Sequence, residues 1–375
     1  MVVALRTRWL GAAAALLLAG CATTEPGSGS GSGSGAPEPV SRSTPIPVRV
    51  VLVSTFEIGA DSGDRPGEFQ NWVEKLPLPQ TLAFPSGYHA LRYNPDLQVL
   101  GVVSGEGPAR MASSITALGH DPRFDLSHAY FLLAGIGGID PNFGSVGSAV
   151  WAPHVVDGSN AHEIDAREIP RDWPDGFTPL QGARPDTQPR PAASSMWGDA
   201  AFTLDPGLVD WAYGLSRSVA LADTPAMRAV RARYRSYPAA RRPPAVMEGD
   251  TLASPVFWVG KRMNRWAERW VGYWTDGTGT FATTAEEDAG FMEALTFLGR
   301  AGIVDPRRAL VLRSASNFDM PPPGETAAAL LAGELTEAGF SGFVASVNAA
   351  YDAGSPVVRE LATHWDRYED HIPGH

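Results

Sequence analysis

Cysteine is nearly absent from this 375-residue sequence: Cys21 is the only one. That excludes a disulfide framework and any metal site built from several thiolates. Positive charge is also scarce, with 30 Lys and Arg against 41 Asp and Glu and a net charge of −11. Phosphate neutralisation needs clustered cations, so the chain is not a nucleic-acid binder. The sequence contains no Gly-x-Ser-x-Gly elbow, no Walker A loop and no His-Glu-x-x-His. His371 and His375 have the spacing of helical metal ligands, but Pro373 lies between them and breaks such a helix. That pair is read as a frayed terminus. No metal and no organic cofactor is expected. After residue 21 no apolar run reaches the roughly 20 residues that a spanning helix needs.

What is present begins with an export signal. Arg6 and Arg8 precede a short apolar run at 11–18, which ends in Leu18-Ala19-Gly20-Cys21. A run of that length between a basic start and a small-residue site reads as a signal peptide, residues 1–20, with a lipobox. The mature chain then starts at Cys21, whose sulfur carries a lipid, and the lone cysteine needs no redox role. Residues 22–47 follow as a tether whose centre alternates Gly and Ser from Gly27 to Gly35. Such a segment buries too little apolar surface to order itself, and 26 flexible residues span about 28 Å. The expected location is therefore an exported, membrane-anchored lipoprotein, periplasmic or at the cell surface, touching the membrane only through Cys21.

From residue 48 to 375 the pattern is that of one α/β domain. Short β-branched runs at 48–53, 97–103, 129–134, 149–156 and 309–312 read as buried strands. Helical patterns at 110–118, 286–300 and 326–338 lie between them, which predicts a mostly parallel sheet with helices on both faces. The stretch around 160–200, densest in Pro, Gly and Asp from 165 to 190, reads as an irregular surface insertion. Trp266, Trp270 and Trp274 recur every four residues, a stripe that suits core or subunit contact better than a base-binding box.

Two glycine-rich turns follow strands, where open α/β sheets collect ligands. One is Ser104-Gly105-Glu106-Gly107. The other is Gly135-Ile136-Gly137-Gly138, which lacks dinucleotide spacing. Each alone is equally a tight turn. Together with Thr55-Phe56-Glu57, Gly144-Ser145-Val146-Gly147, Gly249-Asp250-Thr251-Leu252-Ala253-Ser254, Glu286-Glu287-Asp288-Ala289 and Arg313-Ser314-Ala315-Ser316-Asn317-Phe318-Asp319, their order resembles the nucleoside phosphorylase superfamily, and within it the purine nucleoside permease family.

The resemblance implies a three-layer αβα domain with a mostly parallel or mixed central sheet, a homo-oligomeric habit, and a purine nucleoside or free purine as partner. It implies cleavage of the N-glycosidic bond by water or phosphate, with the binding protein that supports uptake as the alternative. Glu287 falls at the ribose-binding position, where a carboxylate can accept from two hydroxyls, although a helix start favours acidic residues anyway. Asn317 falls at the base-binding position; it can donate and accept but cannot protonate a leaving base. Asp319 is near enough in sequence to help, and Phe257 and Trp258 fall where an aromatic wall stacks the base. Ser104, Gly105 and Gly107 match the phosphate loop, with Arg110 as support, but Glu106 within the loop would repel phosphate. Glu57 or Glu106 would instead activate water, and phosphate remains a candidate co-substrate.

The lipobox yields a direct test. Cys21→Ser should leave the protein folded and move it from the detergent phase into the aqueous phase on temperature-induced partitioning; unchanged partitioning defeats the assignment.

Overall fold

The computed structural model describes residues 44–188, 190, 200–334 and 336–375, so the signal, Cys21 and nearly all of the tether lie outside the described residues. Thr44–His375 is one unit. Its centre is a twelve-stranded mixed sheet. Nine strands run in the order Ala201–Thr203, His154–Asp157, Asp250–Ala253, Phe281–Ala285, Tyr130–Ile139, Val50–Ser54, Val99–Val103, Leu91–Asn94 and Gln80–Leu82. Ala309–Phe318 joins this path at Tyr130–Ile139, and Ala149–Trp151 and Val246–Glu248 continue from it. The expected strands are all present. The run at 149–156 is divided into Ala149–Trp151 and His154–Asp157, as befits Pro153, which has no N–H for a ladder. The helix Glu337–Thr363 packs on the two long central strands, while Pro108–Gly119 and Asp288–Arg300 pack on each other.

Tyr130–Ile139 is the spine of the sheet. One edge pairs with Ala309–Phe318 from Phe131 to Ile139. The other edge is shared by two strands that do not meet. Val50–Ser54 runs parallel and covers Tyr130 to Leu133, and Phe281–Ala285 runs antiparallel and covers Gly138 and Ile139. Their carboxyl ends therefore point at each other across an uncovered stretch between Leu133 and Gly138. Both strands are rich in β-branched residues, Val50–Ser54 is buried throughout and Thr283 is buried where it pairs, which fixes their register on either side of the opening. The glycines at 135, 137 and 138 lie inside this strand, not in a turn after it as the sequence suggests.

Two further expectations change, and the tryptophan stripe is borne out as core. The helix expected at 326–338 is Ala327–Glu334, followed by the much longer Glu337–Thr363, whose Val347, Ala353, Val357, Val358 and Leu361 carry the buried stripe onward. Trp266, Trp270 and Trp274 are buried on one face of Lys261–Trp274 and belong to the chain's own core, with Phe177 stacked on Trp266 at 4.3 Å. The C-terminus is docked instead of frayed. Arg308 donates to the carbonyls of His128, Tyr368 and Glu369, Ile372 is buried, and His375 reaches the Asp205 carboxylate at 2.7 Å. In the insertion, the described part holds one antiparallel pair, Ala161–Glu163 with Phe177–Pro179, amid turns.

The convergence of strands leaves no space beside Gly137, where an added Cβ would stand 2.2 Å from the Thr284 carbonyl oxygen. Backbone cannot yield there, so Gly137→Ala should cost about 1–3 kcal/mol. Gly333→Ala, in open space on Ala327–Glu334, should be neutral or stabilising. Urea midpoints of the two variants against wild type check the contrast.

Candidate active site

The opening in the sheet leaves Ile136 without a strand partner on that side, and two side chains take the strand's place. The Ile136 N–H donates to Glu68 Oε1 at 2.6 Å, and its carbonyl accepts from Arg313 Nη1 at 3.0 Å. A Cβ on Gly135 would lie 2.5 Å from Arg313 Nη1 and 2.7 Å from Glu68 Oε1, so only glycine admits both groups. Glu68 Oε2 also accepts from the N–H and the hydroxyl of Thr55, each at 2.7 Å. Arg313 is the hub. Its Nε donates to Asp288 Oδ1 at 2.8 Å and its Nη2 to Glu287 Oε2 at 3.0 Å. Glu287 Oε1 in turn accepts the Gly107 N–H at 2.9 Å, and Asp288 Oδ2 accepts from Thr251 at 2.9 Å.

Two carboxylates thus bond one guanidinium that is 1% exposed, and Glu68 feels its charge. Burial alone would lower the Arg313 pKa, but Asp288, Glu287 and Glu68 together drive it upward, so its charge is permanent. Glu68 is the group left over. Burial, countered by Arg313 and reinforced by Glu287, pushes its carboxyl up to about 7.

Glu68 and Glu287 face a cavity of about 200 Å³. Glu68, Glu106, Glu286 and Glu287 line it, and among the described residues no Lys, Arg or His does. Phe257 and Trp258 form an aromatic side, with Asn317 and Ser316 next to them. Asn317 follows a register shift in its strand, and its Oδ1 accepts from the Ser316 hydroxyl at 2.9 Å. Burial pushes the Glu286 carboxyl upward, and the charges of Glu287 and Glu106 add to the push.

Of the residues expected from sequence, the structure brings Glu287, Asn317, Phe257, Trp258, Glu106, Gly137 and Gly138 to this cavity. Others are elsewhere. Glu57 accepts the backbone N–H groups of Ile58, Gly67, Phe69 and Gln70, so it staples the loop after the first strand and has no part in the cavity wall. Asp319 is buried behind Gly138 and accepts from the Thr284 hydroxyl at 2.8 Å. The Ser104 hydroxyl donates to Gly105 O, and Arg110 lies over the Tyr88 ring at 5.5 Å. Gly105 and Gly107 do adopt positive φ, but the Gly107 N–H is already taken by Glu287, which leaves the loop a poor cradle for phosphate. Glu68 is the residue that sequence reasoning misses. Glu68 lies two residues before the helix Gln70–Lys75, and nothing in the local sequence marks it as a site residue.

The raised pKa has a thermodynamic signature. Glu68 in the folded chain titrates near 7 against an ordinary 4.5, so its contribution to stability is fully present below 4.5 and is lost as pH rises through 7. Glu68→Gln should therefore show a shallower loss of stability between pH 5 and 8 than wild type, read from urea midpoints at both values. A parallel loss in both proteins would contradict the assignment.

The sequence as a whole matches the family model described as purine nucleoside permease over residues 47–373. A probable purine nucleoside permease of Schizosaccharomyces pombe is 31% identical over 287 residues, covering 74% of this chain and 80% of the relative. A purine nucleoside permease of Candida albicans is 27% identical over 302 residues, covering 79% and 72%. In fold the chain is similar to the 5′-methylthioadenosine/S-adenosylhomocysteine nucleosidase of S. pneumoniae, solved with a transition-state inhibitor. That likeness has a TM-score of 0.50 at 13% identity and covers 84% of this chain and 99% of the other. The protein belongs to the purine nucleoside permease family.

Proposed function

We propose that this protein binds a purine nucleoside in the cavity at the sheet opening and hydrolyses its N-glycosidic bond. The single observation that carries this reading is Glu68: a buried carboxyl, held by Thr55 and Ile136 and titrating near neutrality, in a cavity with a second carboxylate at Glu287. A base works best when its pKa is close to the operating pH. Glu68 takes the proton of an attacking water. Glu287 has its second lone pairs free for the ribose hydroxyls, and these bonds strengthen as the sugar turns cationic. Asn317 and the Phe257–Trp258 side hold the base, and since an amide cannot protonate it, the leaving proton comes from water.

The charge of the cavity favours water over phosphate. Four lining carboxylates and, among the described residues, no lining cation would repel a phosphate dianion and would stabilise an oxocarbenium-like transition state. The names of the relatives favour a second reading, in which the chain only binds nucleosides for uptake. In either case we place it outside the cytoplasm, exported as a homo-oligomer tethered by a lipid on Cys21.

Purine release from adenosine or inosine, measured with and without phosphate, tests the reading. Phosphate-independent release is expected; binding without release supports the uptake reading. Glu68→Gln should lower kcat by about 10²–10⁴-fold. In wild type the acid limb of kcat/KM should have its midpoint near pH 7, because the free protein must lose the Glu68 proton. Glu287→Gln should cost about one to two powers of ten in both kcat and kcat/KM, the worth of a charge-assisted hydrogen bond.

A further inference from the structure

A second cavity of about 310 Å³ adjoins the first, and the two share Ile136, Phe257, Ser316 and Asn317 as a common wall. Its chemistry is different. None of the four carboxylates reaches it. Its lining includes Val146, Met227, Val230, Phe318, Leu330 and Phe343. The polar tips within that wall are already engaged. Arg233, the only charged lining residue among those described, is paired with Glu325, and the Tyr234 hydroxyl donates to the Met320 carbonyl at 2.9 Å. An apolar space of this kind is a place for hydrocarbon.

Its position says which end of a ligand it would receive. The carboxylates suit hydroxyl donors, so the sugar belongs beside Glu68 and Glu287. An amide that donates and accepts, next to aromatic rings, suits the edge and face of a base. The shared wall consists largely of that second set: Asn317, Ser316 and Phe257 line both spaces. Phe257 is 48% exposed, so its ring is not locked into the core between them. A purine held at Asn317 therefore presents its substituted edge to the apolar cavity.

We propose that the second cavity is a subsite for an apolar substituent on the base, so that the preferred ligand is a base-alkylated or base-arylated purine nucleoside. This rests on the reading that the first cavity holds a nucleoside. The subsite sets specificity and does not touch the reacting bond, and it would supply affinity by removing hydrocarbon from water.

The test uses full-length Glu68→Gln protein, in which cleavage does not deplete the ligand, and calorimetric titration with three probes. These are adenosine, adenosine with a benzyl group on the exocyclic nitrogen, and adenosine with a benzylthio group on C5′. The base-benzylated probe should bind with a Kd at least tenfold below that of adenosine. Val146→Phe, which grows into the second cavity, should reduce that advantage to less than twofold while leaving adenosine binding unchanged. Ala329→Trp, on an exposed helix at the cavity rim, should do the same and guards against a folding defect in the first variant. Adenosine binding with no gain from the base substituent overturns the subsite alone, and so does a gain confined to the C5′ probe. Failure of all three probes to bind overturns the nucleoside reading as well.

Discussion

The peptide group of Ile136 is where the sheet and the site become one problem. A strand flanked on one side by two neighbours that stop short of each other has amide and carbonyl groups that still require partners. Here a carboxylate takes the N–H and a guanidinium takes the C=O, which places Glu68 and Arg313 side by side at the mouth of the opening. Once Arg313 is buried, it requires counter-charge, and Glu287 and Asp288 supply it from the start of the next helix. The negative charge then exceeds the positive. Glu68, buried and close to Glu287, holds its proton to near neutrality. A requirement of sheet geometry has thereby produced a titratable group suited to acid–base work.

Much of the site is legible in the sequence because it depends on short stretches with fixed local geometry. Glu287 stands at the start of a helix the sequence predicts and Asn317 just beyond a strand it predicts, and the order of the motifs carries both to the ligand-binding edge. Phe257 and Trp258 follow by only a few residues the motif at 249–254, which forms the strand Asp250–Ala253. Glu57 and Glu68 are different. They bracket a loop of eleven residues or so that is rich in Gly and Asp, and either could have pointed inward. The choice is made by four loop amides that converge on Glu57 and by the opening beside Ile136 that accepts Glu68. Neither event has a local signature. Asp319 is misplaced for a related reason: one pleat beyond the bulge turns its carboxylate behind Gly138 instead of towards the cavity.

The charge pattern separates the two cavities as sharply as their shapes do. Carboxylates crowd the first, and among the described residues none lines the second, so a ligand spanning both must be polar at one end and greasy at the other. The wall that joins them carries Asn317, the one amide side chain that the described residues give either lining. A change at that residue would therefore be felt on both sides.

The bare stretch of the central strand bears on how such a pocket can diversify. A Cβ added at Gly135, Gly137 or Gly138 would stand 2.5 Å or less from a neighbouring atom. The floor of the cavity is thus peptide backbone, held without side chains by its neighbours. Natural variation has no purchase there, since nearly every substitution would disturb the sheet before it altered recognition. New ligand preferences have to arise from the walls, above all from the loop bearing Phe257 and the helices beyond Asn317, while the floor descends unchanged.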